Sequence, residues 1–243
     1  MTAPTLVLLH GVGLDHSVWD AVRDGLRADL TVIAPDLPGH GDKPAAVDGV
    51  TLSDLAADLA EEIPPGSHVV GFSLGALIAQ YLAIHRPHLV GSLVSVSSVC
   101  DRTADERAAV LTRLDAARSD FAASVHASLE RWYAGTTVSA EVVAHTREVL
   151  LANDPRSFVN CYRVFATADA DVAHDLHRIG VPALAITGAA DPGSTPDMTH
   201  RLAAAIPNCD AVVVPDARHM LPVERPDELV ATLSSFIGRY AHA

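Results

Sequence analysis

Short apolar runs alternate with amphipathic segments along most of this chain, and no other feature constrains its fold as much. Residues 5–10 (TLVLLH), 31–36 (TVIAPD), 67–72 (SHVVGF), 89–98 (LVGSLVSVSS), 181–187 (VPALAIT) and 210–215 (DAVVVP) read as strands. Residues 15–26, 52–63, 74–85, 196–206 and 226–240 suit helices, with Thr51 as N-cap of the second. Strands that are apolar without alternation are covered on both faces. Alternation of strand and helix implies right-handed crossovers. The expected fold class is therefore α/β, with a mostly parallel sheet of about six strands and helices on both faces. One interval breaks the rhythm: residues 102–168 read as helical, with no good strand. They are expected to form an inserted helical cap, leaving core segments at 1–101 and 169–243. A length of 243 residues suits one such core with an insertion.

Open parallel sheets bind ligands beyond the carboxyl ends of their strands. The residues found there are His10-Gly11-Val12-Gly13, Asp36, Ser73, Asp101, Asp191 and His219. Ser73 lies in VVGFSLGA, a Gly-x-Ser-x-Gly between a strand and a helix. A neutral hydroxyl is a weak nucleophile. It needs a base, and the base needs a carboxylate to fix its tautomer. It also needs a sharp turn, which Gly71 and Gly75 allow because they lack Cβ. Asp191 in GAADPGSTP and His219 in DARHMLPVERP supply the two partners, in the order Ser…Asp…His. Each residue also has a plainer role open to it. Ser73 fits a helix N-cap, and Asp191 fits a turn cap before Pro192. Asp101 and Asp197 compete with Asp191 as the acid.

Charge and cysteine usage narrow the partners. Seventeen Lys and Arg face 30 Asp and Glu, a formal charge of −13, which argues against nucleic acid and anionic membranes. Cys100, Cys161 and Cys209 are an odd number without metal-ligand spacing, so reduced thiols and a cytoplasmic location are expected. Met1-Thr2-Ala3-Pro4 has no basic n-region and residues 6–9 are too short for a leader, so none is expected. The histidines show no metal motif: His85 and His88 flank Pro87, and His174 and His177 read as a solvated face. No metal and no cofactor is expected.

At this point the chain resembles the α/β-hydrolase superfamily. The resemblance runs through LLHGVGLDHSVWD, APDLPGHGDKP, VVGFSLGALIAQYLAIHRP, ITGAADPGSTP and DARHMLPVERPDEL. It implies that the backbone N–H groups of Val12 and Leu74 form an oxyanion hole beside a Ser73, His219 and Asp191 triad. A narrower resemblance, carried by SLERWYAG and the segment from LLANDPRSFVNCYRVF to VPAL, is to the 3-oxoadipate enol-lactonases. It departs from that group at His10-Gly11 and Asp42-Lys43-Pro44, and the two antiparallel strands with which most members begin are not expected here.

The implied activity is hydrolysis of a small-molecule ester or lactone, in its narrow form 3-oxoadipate enol-lactone. Trp132 and Tyr133 are expected to line the acyl pocket, with Trp19 and Phe72 near its floor. Arg131 or Arg163 would bind a free carboxylate. The plainer reading is that the aromatics pack the cap and the arginines face solvent. A carbon–carbon bond hydrolase or a cofactor-free perhydrolase would use the same triad. An epoxide hydrolase or dehalogenase would need an aspartate where Ser73 stands. A ligand receptor on the same fold is the non-enzymatic alternative. Oligomeric state is left open.

Overall fold

The structure is a computed structural model, and it describes residues 3–240. Met1 and Thr2, on which the expected absence of a leader partly rests, lie outside the described residues. The chain runs through β1 (Thr5–Leu9), α1 (Asp20–Gly25), β2 (Thr31–Ile33), α2 (Leu52–Ala60), β3 (Ser67–Phe72), α3 (Leu74–His85) and β4 (Val90–Val96). Four helices follow: α4 (Ala104–Ser119), α5 (Phe121–Tyr133), α6 (Ala140–Ala152) and α7 (Pro155–Thr167). The rest is α8 (Asp169–Ala173), β5 (Ala183–Gly188), α9 (Pro196–Ala205), β6 (Cys209–Val214), α10 (Leu221–Glu224) and α11 (Pro226–Tyr240). All six strands are parallel, in the order β2-β1-β3-β4-β5-β6.

That order contains a reversal. From β1 the chain crosses to β2 on one side, and from β3 it crosses to β4 on the other. The connections diverge at the carboxyl ends of β1 and β3, which opens a crevice there. The register brings Leu9 opposite Gly71, Phe72 opposite Val96 and Val96 opposite Ile186. The loops after β1, β3, β4 and β5 therefore leave the sheet at one level.

Local chemistry explains where elements stop. Thr51 forms a reciprocal capping box with Asp54 and starts α2 as expected. The helix ends at Ala60, short of Ile63, because Pro64 disfavours helical backbone before it. β2 stops at Ile33, short of Asp36, since Pro35 cannot donate to a ladder. Residues 15–26 do not form one helix: the Asp15 side chain accepts from Ser17 N–H and closes a 3-10 turn, His16–Trp19, before α1. The helical stretch after β4 also runs past Ala168, through α8 and a 3-10 turn at Leu176–Arg178. Nearly every residue of α3 is buried, as expected of a helix enclosed between the sheet and its neighbours.

The two ends of the inserted helices are tied by one buried acid. Asp169 accepts from Arg102 Nη1 at 2.8 Å and from Arg107 Nη2 at 3.0 Å, and its side chain is fully buried. Arg102 also donates to the Phe165 carbonyl at 3.0 Å and lies 4.8 Å from the Phe165 ring. Removing one partner of such a cluster strands a buried charge. Asp169→Ala is expected to lower unfolding stability by about 3–5 kcal/mol, seen as a lower urea midpoint at unchanged slope. A shift below about 1 kcal/mol would mean that water already solvates the cluster.

Among the described residues no helix is long and apolar enough to cross a membrane. The three cysteines are free, and burial raises each thiol to about 12.

Candidate active site

Ser73 sits between β3 and α3 with φ 55° and ψ −110°, a backbone state that disfavours any residue with a Cβ. Three backbone bonds hold it there. Ser73 N–H donates to the Val96 carbonyl, Gly75 N–H to that of His10, and Ala76 N–H to that of Ser73. The glycines are demanded by space: a Cβ on Gly71 would lie 2.2 Å from the Gly75 carbonyl oxygen, and one on Gly75 would lie 2.3 Å from that of Leu9. The Ser73 side chain makes no capping hydrogen bond, so the N-cap reading does not apply.

Asp191 makes two sets of contacts. Its Oδ1 accepts from Gly193 and Ser194 N–H at 2.8 and 2.9 Å, which closes the turn. Its Oδ2 lies 2.7 Å from His219 Nδ1. With Nδ1 committed to that carboxylate, Nε2 is the nitrogen left to act as a base. Asp197 is exposed in the first turn of α9 and Asp101 is exposed after β4. Neither makes a hydrogen bond or ion pair with His219.

Ser73, Asp191 and His219 line one cavity of about 40 Å³, together with Val12, Arg113, Arg131, Trp132, Tyr162 and Phe165. That is room for roughly three waters on the same measure. Two larger hollows, about 350 and 400 Å³, follow the seam between α6 and the loops after β1 and β2. Neither contains any of the three residues. Among the described residues, neither Val12 N–H nor Leu74 N–H donates to a protein acceptor. Leu74 opens α3, so its N–H belongs to the positive end of that helix.

The structure separates the other expected pocket residues. The Trp132 ring stacks on His219 with centroids 5.7 Å apart and planes at 24°. Phe72 also packs on His219, with ring centroids 5.2 Å apart. Arg131 reaches the cavity. Three expectations are corrected. Tyr133 points elsewhere: its hydroxyl pairs with Thr146 at 2.9 Å. Trp19 is fully buried, meets the edge of Phe72 and does not line the cavity. Arg163 is tied to the Val50 carbonyl. Successive helical residues diverge by about 100°, so Tyr162 faces the cavity while Arg163 does not.

Sequence reading also missed residues. Arg113, Tyr162 and Phe165 come from α4 and α7, whose inward faces show only once the helices are packed. Ser97, at φ 45° after β4, donates its hydroxyl to the His219 carbonyl at 3.1 Å. Its neighbours in LVSVSS are also serines, so nothing in the letters singles it out.

His10 shapes the loop carrying Val12. Its Nε2 accepts from Leu37 N–H at 2.8 Å, and its Nδ1 lies 2.8 Å from the Gly11 carbonyl. His40 meets it edge-on at 5.2 Å. Burial, with the neighbouring His40 charge, pushes His10 down to about 3, and burial pushes His40 down to about 4. Both are therefore neutral when folded near neutrality. In the unfolded chain each takes up a proton below about pH 6.5, so their stabilisation is present above 6.5 and lost as pH falls toward 4. The expected loss is up to about 1.4 kcal/mol per pH unit for each histidine. Urea midpoints at pH 7, 6 and 5 measure it, and His40→Leu should flatten the slope. A stability independent of pH over that range would contradict the neutral assignment.

A sequence model of the alpha/beta hydrolase family matches residues 6–232. The chain belongs to that family. Relatives within it include the (E)-2-((N-methylformamido)methylene)succinate hydrolase of Acinetobacter baylyi, 29% identical over 237 residues, covering 96% of this chain and 89% of that one. The pimeloyl-[acyl-carrier protein] methyl ester esterase of Vibrio atlanticus is 29% identical over 247 residues, covering 96% and 94%. The enol-lactonase of Burkholderia xenovorans superposes with a TM-score of 0.86 at 26% identity, covering 98% of this chain and 92% of that one. As an alpha/beta hydrolase, the protein has its six-stranded parallel sheet and surrounding helices accounted for by the family fold.

Proposed function

We propose that this alpha/beta hydrolase is a cytoplasmic serine hydrolase that cleaves a small carboxylic ester or lactone through an acyl-enzyme on Ser73. The observation that carries the reading is the 2.7 Å contact of His219 Nδ1 with Asp191, in the cavity where strained Ser73 sits. Ser73 Oγ attacks the carbonyl carbon as His219 Nε2 takes its proton. Asp191 holds the imidazole tautomer and stabilises the imidazolium. The N–H groups of Val12 and Leu74 receive the oxyanion of the tetrahedral intermediate. Collapse breaks the carbonyl–oxygen bond, and His219 returns its proton to the leaving alkoxide. A water, deprotonated by His219, then attacks the acyl-enzyme, and Ser73 recovers its proton. In a lactone the alkoxide stays tethered, so the acyl-enzyme is one open chain. Residues 102–168 serve as the cap that covers the acyl group. No step requires a metal or cofactor.

The named activities of the relatives, a methyl ester esterase and an enol-lactonase, lie within this reading. Its narrow form is 3-oxoadipate enol-lactone as substrate. The test is a panel of short p-nitrophenyl esters, simple lactones and 3-oxoadipate enol-lactone, on wild type and Ser73→Ala. Turnover of an ester or lactone by wild type and its loss in the variant are expected. Fast enol-lactone cleavage with slow ester cleavage is the result expected of the narrow form. Equal turnover by both proteins would exclude the mechanism.

A further inference from the structure

The corner that ends β4 bonds to the supports of all three residues of the proposed triad. The Val96 carbonyl accepts the Ser73 N–H at 2.9 Å, on the nucleophile side. Ser97 N–H donates to the Ile186 carbonyl at 2.8 Å, on β5, the strand that leads to Asp191. The Ser97 hydroxyl donates to the His219 carbonyl at 3.1 Å, across 122 residues of chain. A carbonyl can only accept, so the direction of that last bond is fixed. Two adjacent residues therefore set the nucleophile, the acid strand and the base against one another.

Ser97 holds this place under strain. It is fully buried, and φ 45° puts it in the left-handed region that disfavours a residue with a Cβ. It does not line the catalytic cavity. His219 is otherwise supported from the acid side. Its Nδ1 lies 2.7 Å from Asp191, and Ala190 N–H donates to the Ala217 carbonyl at 2.8 Å. Leu221 N–H also donates to the His219 carbonyl, at 2.9 Å, but that bond is internal to the same turn and cannot place it on the sheet. Phe72 and Trp132 pack on the imidazole, and packing of that kind has no direction of its own. Without the Ser97 hydroxyl, base and acid stay together, while the hydrogen-bonded link from the base to β4 is lost.

We infer that Ser97 is a positioning residue of the reaction: its hydroxyl sets the register of His219 against Ser73, so that Nε2 meets the serine proton. The inference rests on the serine hydrolase reading, because it needs His219 as the base. Catalysis is sensitive to such placement, with a loss of about a hundredfold for a shift near 1 Å.

The test is the rate at which a fluorophosphonate labels Ser73. Ser97→Ala should label about ten- to hundredfold more slowly than wild type. Ser97→Gly removes the same donor but relaxes the backbone, so it should be equally slow and serves where Ser97→Ala does not fold. Ser98→Ala, at the neighbouring serine bonded to Gln80 and to the Val99 carbonyl, should label at the wild-type rate. The deciding arm is the His219→Ala background. With the base gone, adding Ser97→Ala should slow the residual labelling no further. A substitution that merely loosened the serine turn would slow both backgrounds alike. Equal labelling by wild type, Ser97→Ala and Ser97→Gly would overturn the positioning role, and so would an equal further loss in the His219→Ala background. In both cases wild type still labels at Ser73 and the serine reading stands. A wild type that does not label at Ser73 would remove the serine reading and the positioning role with it.

Discussion

Ser73→Ala should lower kcat/KM toward any ester or lactone the protein cleaves by at least about 10⁴-fold. The loss should come without a loss of fold, because the serine side chain holds no structural bond. Its strain is a backbone property: φ 55° and ψ −110° cost on the order of 1–3 kcal/mol, and alanine keeps that cost. Glycine does not. Ser73→Gly should therefore be equally inactive but more stable than wild type, by about 1 kcal/mol or more, in a urea titration. Opposite movements of activity and stability at one residue mark strain held for chemistry. A destabilised Ser73→Gly would mean that the turn is held for packing alone.

Asp191→Asn should cost nearly as much, about 10⁴-fold in kcat. The amide oxygen of the variant can still accept from Gly193 and Ser194, so the turn survives. Its NH₂ then faces His219 Nδ1 and forces that nitrogen to accept. The proton moves to Nε2, and the imidazole can no longer take one from Ser73. Asp101→Asn and Asp197→Asn, which touch no part of the site, should keep activity within a few-fold. Steady-state kinetics on the three variants decides the acid. A near-normal Asp191→Asn beside an inactive Asp101→Asn would reassign it.

The sheet was legible because each buried parallel strand is an uninterrupted apolar run. β3 and α3 were found to the residue, since the glycines of VVGFSLGA mark the turn between them. Ser73, Asp191 and His219 could be placed because each follows a strand, and strand ends share one side of a parallel sheet. Val12 and Leu74 came from the family resemblance and not from those placements. The inserted helices were legible as helices but not as a pocket. Which of Trp132 and Tyr133 faces His219 depends on how α5 rotates against α6, where Thr146 takes the Tyr133 hydroxyl. Arg163 and Tyr162 are neighbours in sequence and part ways in space for the same reason. Arg113 lies far from every motif in sequence. The broken helix at 15–26 was missed because the Asp15 cap competes with helix over a single turn.

Ser73 as the nucleophile is the claim on which the rest depends, and covalent labelling tests it most directly. The Ser73 oxygen should attack the phosphorus of a fluorophosphonate and expel fluoride to solvent, leaving a phosphonyl adduct found by mass spectrometry on the peptide containing VVGFSLGA. The adduct should form in wild type, disappear in Ser73→Ala and form far more slowly in His219→Ala. Labelling at another residue, or full hydrolytic activity in a protein labelled to completion at Ser73, would contradict the account.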